Sequence, residues 1–123
     1  NVEGAADKQT ARTLARSVVS SNLVKAAFFG SDANWGRIMC AMGYSGATFN
    51  PSSVDLFFES LGEKIQVVKD GEPVVFDEAK AKAILKHSEI TCTASLQDGA
   101  GQATAWGCDL SYEYVRINGD YRS

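Results

Sequence analysis

The hydrophobic period of this chain changes from helical to extended part-way along, and that change limits the fold more than any other feature. Between Asp7 and Ser20 the apolar residues Ala11, Leu14, Ala15, Val18 and Val19 fall at i, i+3, i+4, i+7 and i+8. This is one stripe of an amphipathic helix, with Arg12 and Arg16 on the solvent side and Asp7 as its cap. From Val54 the period is two. Val54, Leu56 and Phe58 alternate, and Ile65, Val67 and Val74 carry the alternation across two further strands. Asp70-Gly71 separates those two strands and suits a type I′ hairpin, whose central residues both need positive φ. A chain with both periods needs helices packed on a sheet, not a bundle or a sandwich.

The segments between fill in that frame. "LVKAAFFGSD" reads as a short strand or extended run closed by Gly30. Asp32 is expected to cap a second helix with Trp35, Ile38, Met39 and Met42 on one face, ended by Gly43. "YSGATFNPSS" is the densest run of turn residues and reads as a loop. Asp77 caps a third helix through Leu85, with Phe76 placed to staple its first turn. Ile90, Cys92, Ala94 and Leu96 form a strand that "QDGAGQ" turns, so that "ATAWGCDL" returns antiparallel. The fold class is therefore α+β: two layers, a mostly antiparallel sheet of five or six strands and about three helices. Residues 1–123 form one domain, since at this length a single core buries roughly 65% of the surface of the unfolded chain.

Composition excludes several function classes. The net charge is −3, and the basic residues are scattered singly. Neither nucleic acid nor an anionic membrane surface is an expected partner. The longest apolar run, Ile38 to Met42, is far short of the ~20 residues that span a bilayer. Three cysteines, Cys40, Cys92 and Cys108, form no C-x-x-C pair, and their odd number favours free, buried thiols in a reducing compartment over a secreted disulfide framework. Cys92 and Cys108 facing each other across a hairpin is the alternative. With one histidine, a multi-His or Cys-His metal site is nearly excluded. Asn1 is not an initiator methionine, and a processed or excised piece of a longer chain is the expectation.

Candidate chemistry is sparse. His87 ends the third helix, where a cation complements the last carbonyls; a general base is the other reading, without a partner placed near it. "DGAG" at Asp98 to Gly101 can imitate a phosphate loop, but it opens no helix and reads as a turn. Ser17, Ser20 and Ser21 lie in no nucleophile elbow and read as solvated or capping hydroxyls. An N-terminal nucleophile requires Thr, Ser or Cys, which Asn1 is not. In "SDANWGRIMCAMGYSG", Asp32, Asn34 and Arg37 put polar groups on one helical turn, and Gly36 leaves room for another backbone. This is either a capped helix or the wall of a site or subunit contact. In the tail, "DLSYEYVRINGDYRS", Val115 and Ile117 face one way and Tyr114 and Arg116 the other, as in a strand, before Asn118-Gly119-Asp120 turns. Asn118 can orient an amino-acid head group through its amide, and Ser123 adds a hydroxyl; a tail that only seals the sheet is the competing reading.

Two segments together, "GSDANWGRIMCAMGYSG" and "TAWGCDLSYEYVRINGDYRS", resemble the paired C-terminal signatures of the ornithine acetyltransferase (bifunctional glutamate N-acetyltransferase) family. "VEGAADKQTARTLARSVVSSNLVKAAFFG" is similar to that family's Gly-Ala-Ala strand-helix lead-in, so the resemblance covers the whole chain. It implies an enzyme of arginine biosynthesis that moves acetyl from N-acetylornithine to glutamate, and in bifunctional members from acetyl-CoA to glutamate. It further implies autocatalytic cleavage before a threonine, an acyl-threonine intermediate, no cofactor, and an assembly of two α and two β chains. The nucleophile, the oxyanion-hole residues and the glutamate of the Asp-Gly-Glu-Gly-Ala-Thr segment all match positions upstream of Asn1; Glu3 is not that glutamate. No residue of the chain is therefore assigned a catalytic role, and alone it should not transfer acetyl groups. The resemblance implies that Asn118 and Ser123 hold the amino-acid substrate. It leaves Asp32, Asn34 and Arg37 with a structural or site-wall role. The compartment implied is the cytoplasm, or a plastid or mitochondrial matrix in a eukaryote. A non-catalytic α+β binding module is the alternative for the polypeptide by itself.

Overall fold

The structure, a computed structural model, describes residues 1–120. It is an α+β arrangement around one mixed six-stranded sheet. In chain order the elements are β1 (Val2–Ala5), α1 (Lys8–Ser20), α2 (Asn22–Phe29), α3 (Trp35–Gly43), a 3-10 turn (Pro51–Ser53), β2 (Asp55–Ser60), β3 (Glu63–Lys69), β4 (Glu72–Pro73), α4 (Glu78–Leu85), β5 (Thr91–Ser95), β6 (Gly101–Ala103) and α5 (Tyr112–Asp120). The strand order is β4-β3-β2-β5-β1-β6. Only β1 and β5 run parallel; the other neighbours are antiparallel.

Register explains why one face of the sheet carries the core. A single row of paired residues crosses it: Val68, Leu56, Ala94, Val2 and Ala103. The first four are buried. Two residues along β2, Phe58 also points inward and meets Phe28 of α2 edge to face, ring centroids 5.8 Å apart. On the opposite face Phe57 is only half-buried and lies under Lys64, whose Nζ is 4.5 Å from the ring centroid. Strict alternation would bury only one of Val67 and Val68. A register shift between Leu56 and Phe57 lets both sit at 0% exposure.

The helices cover the buried face as their stripes require. α1 presents Ala11, Leu14 and Ala15, and its Asp7 cap accepts from the Thr10 amide at 2.7 Å. α4 is capped by Asp77 and presents Ala81, Ile84 and Leu85. Buried Ser60 donates to the Ile84 carbonyl at 2.8 Å, tying β2 to the end of this helix. Ser17 of α1 donates to the Ala41 carbonyl of α3 at 2.6 Å. The Asp70-Gly71 hairpin has the expected pair of positive φ angles, 51° and 76°, and Leu61-Gly62 repeats the device between β2 and β3.

Several expectations need correction. Residues Leu23 to Phe29 are not a strand but part of α2. Ser21 ends α1, and its hydroxyl caps α2 by accepting from the Val24 amide. A short, almost wholly apolar run carries no period to separate the two states. α3 is capped by Asn34 rather than Asp32. β5 and β6 do not form a hairpin, because β1 lies between them and pairs with both. Among the described residues five helices form, against the expected three or so. The fifth takes up the tail: Tyr112 to Asp120 are helical, so Val115 and Ile117 do not alternate as in a strand, and Asn118-Gly119-Asp120 is not a turn.

Candidate functional site

A groove of about 630 Å³ lies at the end of the sheet where β1 and β5 begin. One wall is formed by α1 and α2 through Val18, Val19 and Phe28; the other by the stretch Thr104–Asp109 that follows β6. His87 and Lys86, just past α4, close one end. Cys92 enters the groove from β5, opposite Phe58 in the ladder and therefore on the core side.

The polar groups here are individually held. Thr104 Oγ1 donates to Asn1 Oδ1 at 2.8 Å, and the Leu110 amide donates to the Lys25 carbonyl at 3.2 Å, which pins the Thr104–Asp109 wall at both ends. Phe29 of α2 meets Tyr112 of α5 edge to face at 5.4 Å, so the fifth helix leaves from the rim of the same groove. Burial pushes the Cys92 thiol up to about 11. A thiol that stays protonated at neutral pH is no nucleophile. The cysteines are all free, as expected, but Cys40 and Cys108 are exposed rather than buried. Cys92, though shielded by the atoms around its thiol, is only partly buried by surface exposure. Cys92 and Cys108 do not face each other across a hairpin, since β5 and β6 are not neighbours.

The other sequence candidates resolve into architecture. Asn34 accepts from the Arg37 amide at 3.1 Å and donates to Asp32 Oδ2 at 3.1 Å, while Arg37 Nη1 donates to the Leu23 carbonyl at 2.9 Å. The three side chains thus fix the start of α3 and clasp it to α2. Gly36 is not a site of close backbone approach; an added Cβ would meet only Asn34 Oδ1, at 3.6 Å. The His87 amide donates to the Ile84 carbonyl at 3.4 Å, in the position of a residue closing a helix. At Asp98 to Gly101, the amides of Asp98 and Gly99 donate to the Gly4 carbonyl at 2.8 and 3.0 Å, and the Asp98 carboxylate accepts from the Asn50 amide at 3.2 Å. Those donors are therefore already engaged and cradle no phosphate.

Among the two residues assigned to substrate, Asn118 lies on α5 by its backbone. Ser123 lies outside the described residues. Sequence reasoning missed the groove itself. Its one signal was Trp106, a large aromatic between Ala105 and Gly107 after a strand; it is 85% exposed and stands at the rim. Among the described residues, no three His, Cys, Asp or Glu side chains gather as a metal site would need, and no helix is long and apolar enough to cross a membrane.

The comparisons with known proteins concern the whole of this arrangement. The family model described as "ArgJ family" matches residues 1–123. The arginine biosynthesis bifunctional protein ArgJ of Symbiobacterium thermophilum is 57% identical over 122 residues, covering 99% of this chain and 29% of that protein. The glutamate N-acetyltransferase of Methanopyrus kandleri is 48% identical over 122 residues, covering 99% of this chain and 31% of its own length. The chain thus spans about three-tenths of the relatives it matches. The crystal structure of the arginine biosynthesis bifunctional protein ArgJ from Bacillus halodurans superposes with a TM-score of 0.90 at 45% identity, over 98% of this chain and 55% of that one. With the family model matching every residue and the fold superposing on a solved relative at 45% identity, the chain belongs to the ArgJ family.

Proposed function

We propose that this chain is the C-terminal part of the β chain of an acetyl-transferring enzyme of arginine biosynthesis, and that its tail completes the substrate pocket. The observation that carries the reading is the 57% identity to a bifunctional arginine-biosynthesis protein, spread over nearly the whole chain. The name of the Methanopyrus kandleri relative supplies the acceptor, glutamate, and the group moved, acetyl.

In this reading a threonine hydroxyl, contributed by a part of the protein outside these residues, attacks the acetyl carbonyl of N-acetylornithine. The C–N bond breaks, ornithine leaves with the hydroxyl proton, and an acetyl ester forms on the threonine. The glutamate amine then attacks the ester, takes the acetyl group, and returns the proton to the threonine oxygen. Two easier transfers replace one hard one, and an oxyanion hole stabilises each tetrahedral intermediate. Bifunctional members can load the threonine from acetyl-CoA instead. Asn118 and Ser123 hold the amino-acid end of the substrates and make no bonds. An α chain and the upstream part of the β chain, self-cleaved from one precursor and assembled as two of each, complete the enzyme. The free cysteines favour a reducing compartment, the cytoplasm or an organelle matrix.

The 123 residues by themselves are inactive in this account. The side chains of the groove support that: they include a protonated thiol and a histidine that makes no side-chain hydrogen bond among the described residues, and they pair no nucleophile with a base. A pre-steady-state mixing experiment tests the reading on the full-length protein. N-acetylornithine without glutamate should release ornithine in a burst of one per active site and leave an acetyl ester on one threonine. No burst, or an unmodified protein by mass, removes the acyl-enzyme.

A further inference from the structure

The β1–β5 ladder runs without interruption to the first residue. The Asn1 nitrogen donates to the Cys92 carbonyl at 2.8 Å, and the Asn1 carbonyl accepts from the Ala94 amide at 2.9 Å. Odd positions of β1 therefore bond to β5, which turns the amide and carbonyl of Val2 toward its partner Ala103 in β6. Asn1 and Thr104 then form the close, non-bonded pair of an antiparallel ladder, and their side chains do touch, at 2.8 Å. Ala105 and Gly107 follow in the bonding register, yet their amides find no partner among the described residues. Between this half-used edge and the start of β5 lies the 630 Å³ groove.

We propose that the groove is the seat of the polypeptide segment that precedes Asn1 in the full-length protein, laid in as an extension of β1 between Ile90–Cys92 and Ala105–Gly107. The length of the relatives supports this occupant over others: they match over only 29% and 31% of their own length, leaving far more chain to place than these residues. Register fixes the contacts. The residue immediately before Asn1 lies opposite Ala105 and exchanges two backbone hydrogen bonds with it. The residue two positions before Asn1 donates to the Ile90 carbonyl and accepts from the Cys92 amide, and the one before that lies opposite Gly107. Side-chain parity follows as well. Val2 is buried, so the first and third residues upstream of Asn1 point inward and are apolar, while the second points out. At ~3.3 Å per residue, three such residues carry the chain about 10 Å along the groove toward the His87 end. None of this rests on the acetyl-transfer reading.

Residue-resolved hydrogen exchange on the full-length protein tests the seat. The amides of Ala105 and Gly107 should exchange roughly a hundredfold or more slower than those of Thr104 and Trp106, which face away in this register. Proline immediately before Asn1 removes one donor of the Ala105 pair and should accelerate Ala105 exchange, while the Gly71 amide in the distant hairpin stays protected. If that variant fails to fold, the alternation in the unmodified protein still decides. Uniformly fast exchange across Thr104–Gly107 overturns the proposal. Protection that varies with protein concentration would assign the edge to a second copy, and protection seen only with added N-acetylornithine or glutamate would assign the groove to a small ligand; either overturns it. Polar residues at both inward upstream positions overturn it as well.

Discussion

Replacing Gly4 by alanine should damage this domain more than any other single methyl addition at a glycine of β1 or the helices. Gly4 has φ +74°, and a Cβ built on it would overlap the carbonyl of Leu96, a backbone group that no rotamer change can remove. The left-handed conformation alone costs a residue with a Cβ ~1–2 kcal/mol. Relief of the overlap requires β1 to shift from the chain beyond β5, which strains three bonds: Leu96 amide to Glu3 carbonyl at 2.8 Å, and Asp98 and Gly99 amides to the Gly4 carbonyl. At a net ~0.5–1.5 kcal/mol each, losing two adds about 1–3 kcal/mol. The total, about 2–5 kcal/mol, is a large part of the ~5–15 kcal/mol that holds a typical domain. Urea unfolding of the full-length protein, followed by a probe in this domain, measures it. Gly43→Ala is the control: Gly43 closes α3, a Cβ there meets nothing within 4 Å, and the change should be neutral or stabilise by up to ~1 kcal/mol. If Gly4→Ala costs less than about 1 kcal/mol, or no more than Gly43→Ala, the steric argument fails.

Two more outcomes follow from burial. Burial raises Cys92 from an ordinary 9.0 to about 11, so the folded state holds the thiol proton more tightly than the unfolded state. Its contribution to stability is therefore complete below pH 9 and is lost as pH rises from 9 to 11, at up to ~1.4 kcal/mol per unit. A Cys92→Ala variant should lose that part of the alkaline slope, and alkylation at pH 8 should modify Cys92 last; early modification contradicts its burial. Ser60→Ala removes a buried hydrogen bond to the Ile84 carbonyl and should cost about 1 kcal/mol, against nearly nothing for Thr13→Ala on the exposed side of α1. Equal effects in thermal melts would mean that the β2–α4 tie is idle.

How far the sequence could be read depended on whether local pattern and tertiary pairing agreed. α1 was legible to its ends, since stripe and cap coincide, and so were α4 and the Asp70-Gly71 hairpin. Their determinants lie within a few residues of one another. α2 was not legible, because its seven apolar or flexible residues suit either state and the decision rests with Ser21, which ends one helix and caps the next. The β5–β6 relation was invisible for another reason. Nothing local to "TASLQDGAGQATA" reveals that a strand from the chain start inserts between them. The tail misled through its Val115–Ile117 alternation, which fits a strand but also leaves both residues half-exposed on a helix that touches the body through Tyr112 and Phe29. Of the candidate site, Asp32, Asn34 and Arg37 were correctly seen as one polar cluster, yet their bonds go to helix starts. The groove could not be read as a whole, since its walls come from the chain start, the α1–α2 region, the end of α4 with β5, and the stretch after β6.

The measurement closest to the central claim is steady-state kinetics of Asn118→Ala in the full-length protein, with self-cleavage checked by gel. An interaction with an amino-acid head group is worth ~1.5–3 kcal/mol when one partner is charged, which corresponds to a loss of roughly 10- to 100-fold in kcat/KM. The account predicts that loss for both N-acetylornithine and glutamate, carried mainly by KM, with cleavage complete and a smaller companion effect on deleting Ser123. Unchanged kcat/KM for both substrates would contradict it and take the tail out of the pocket.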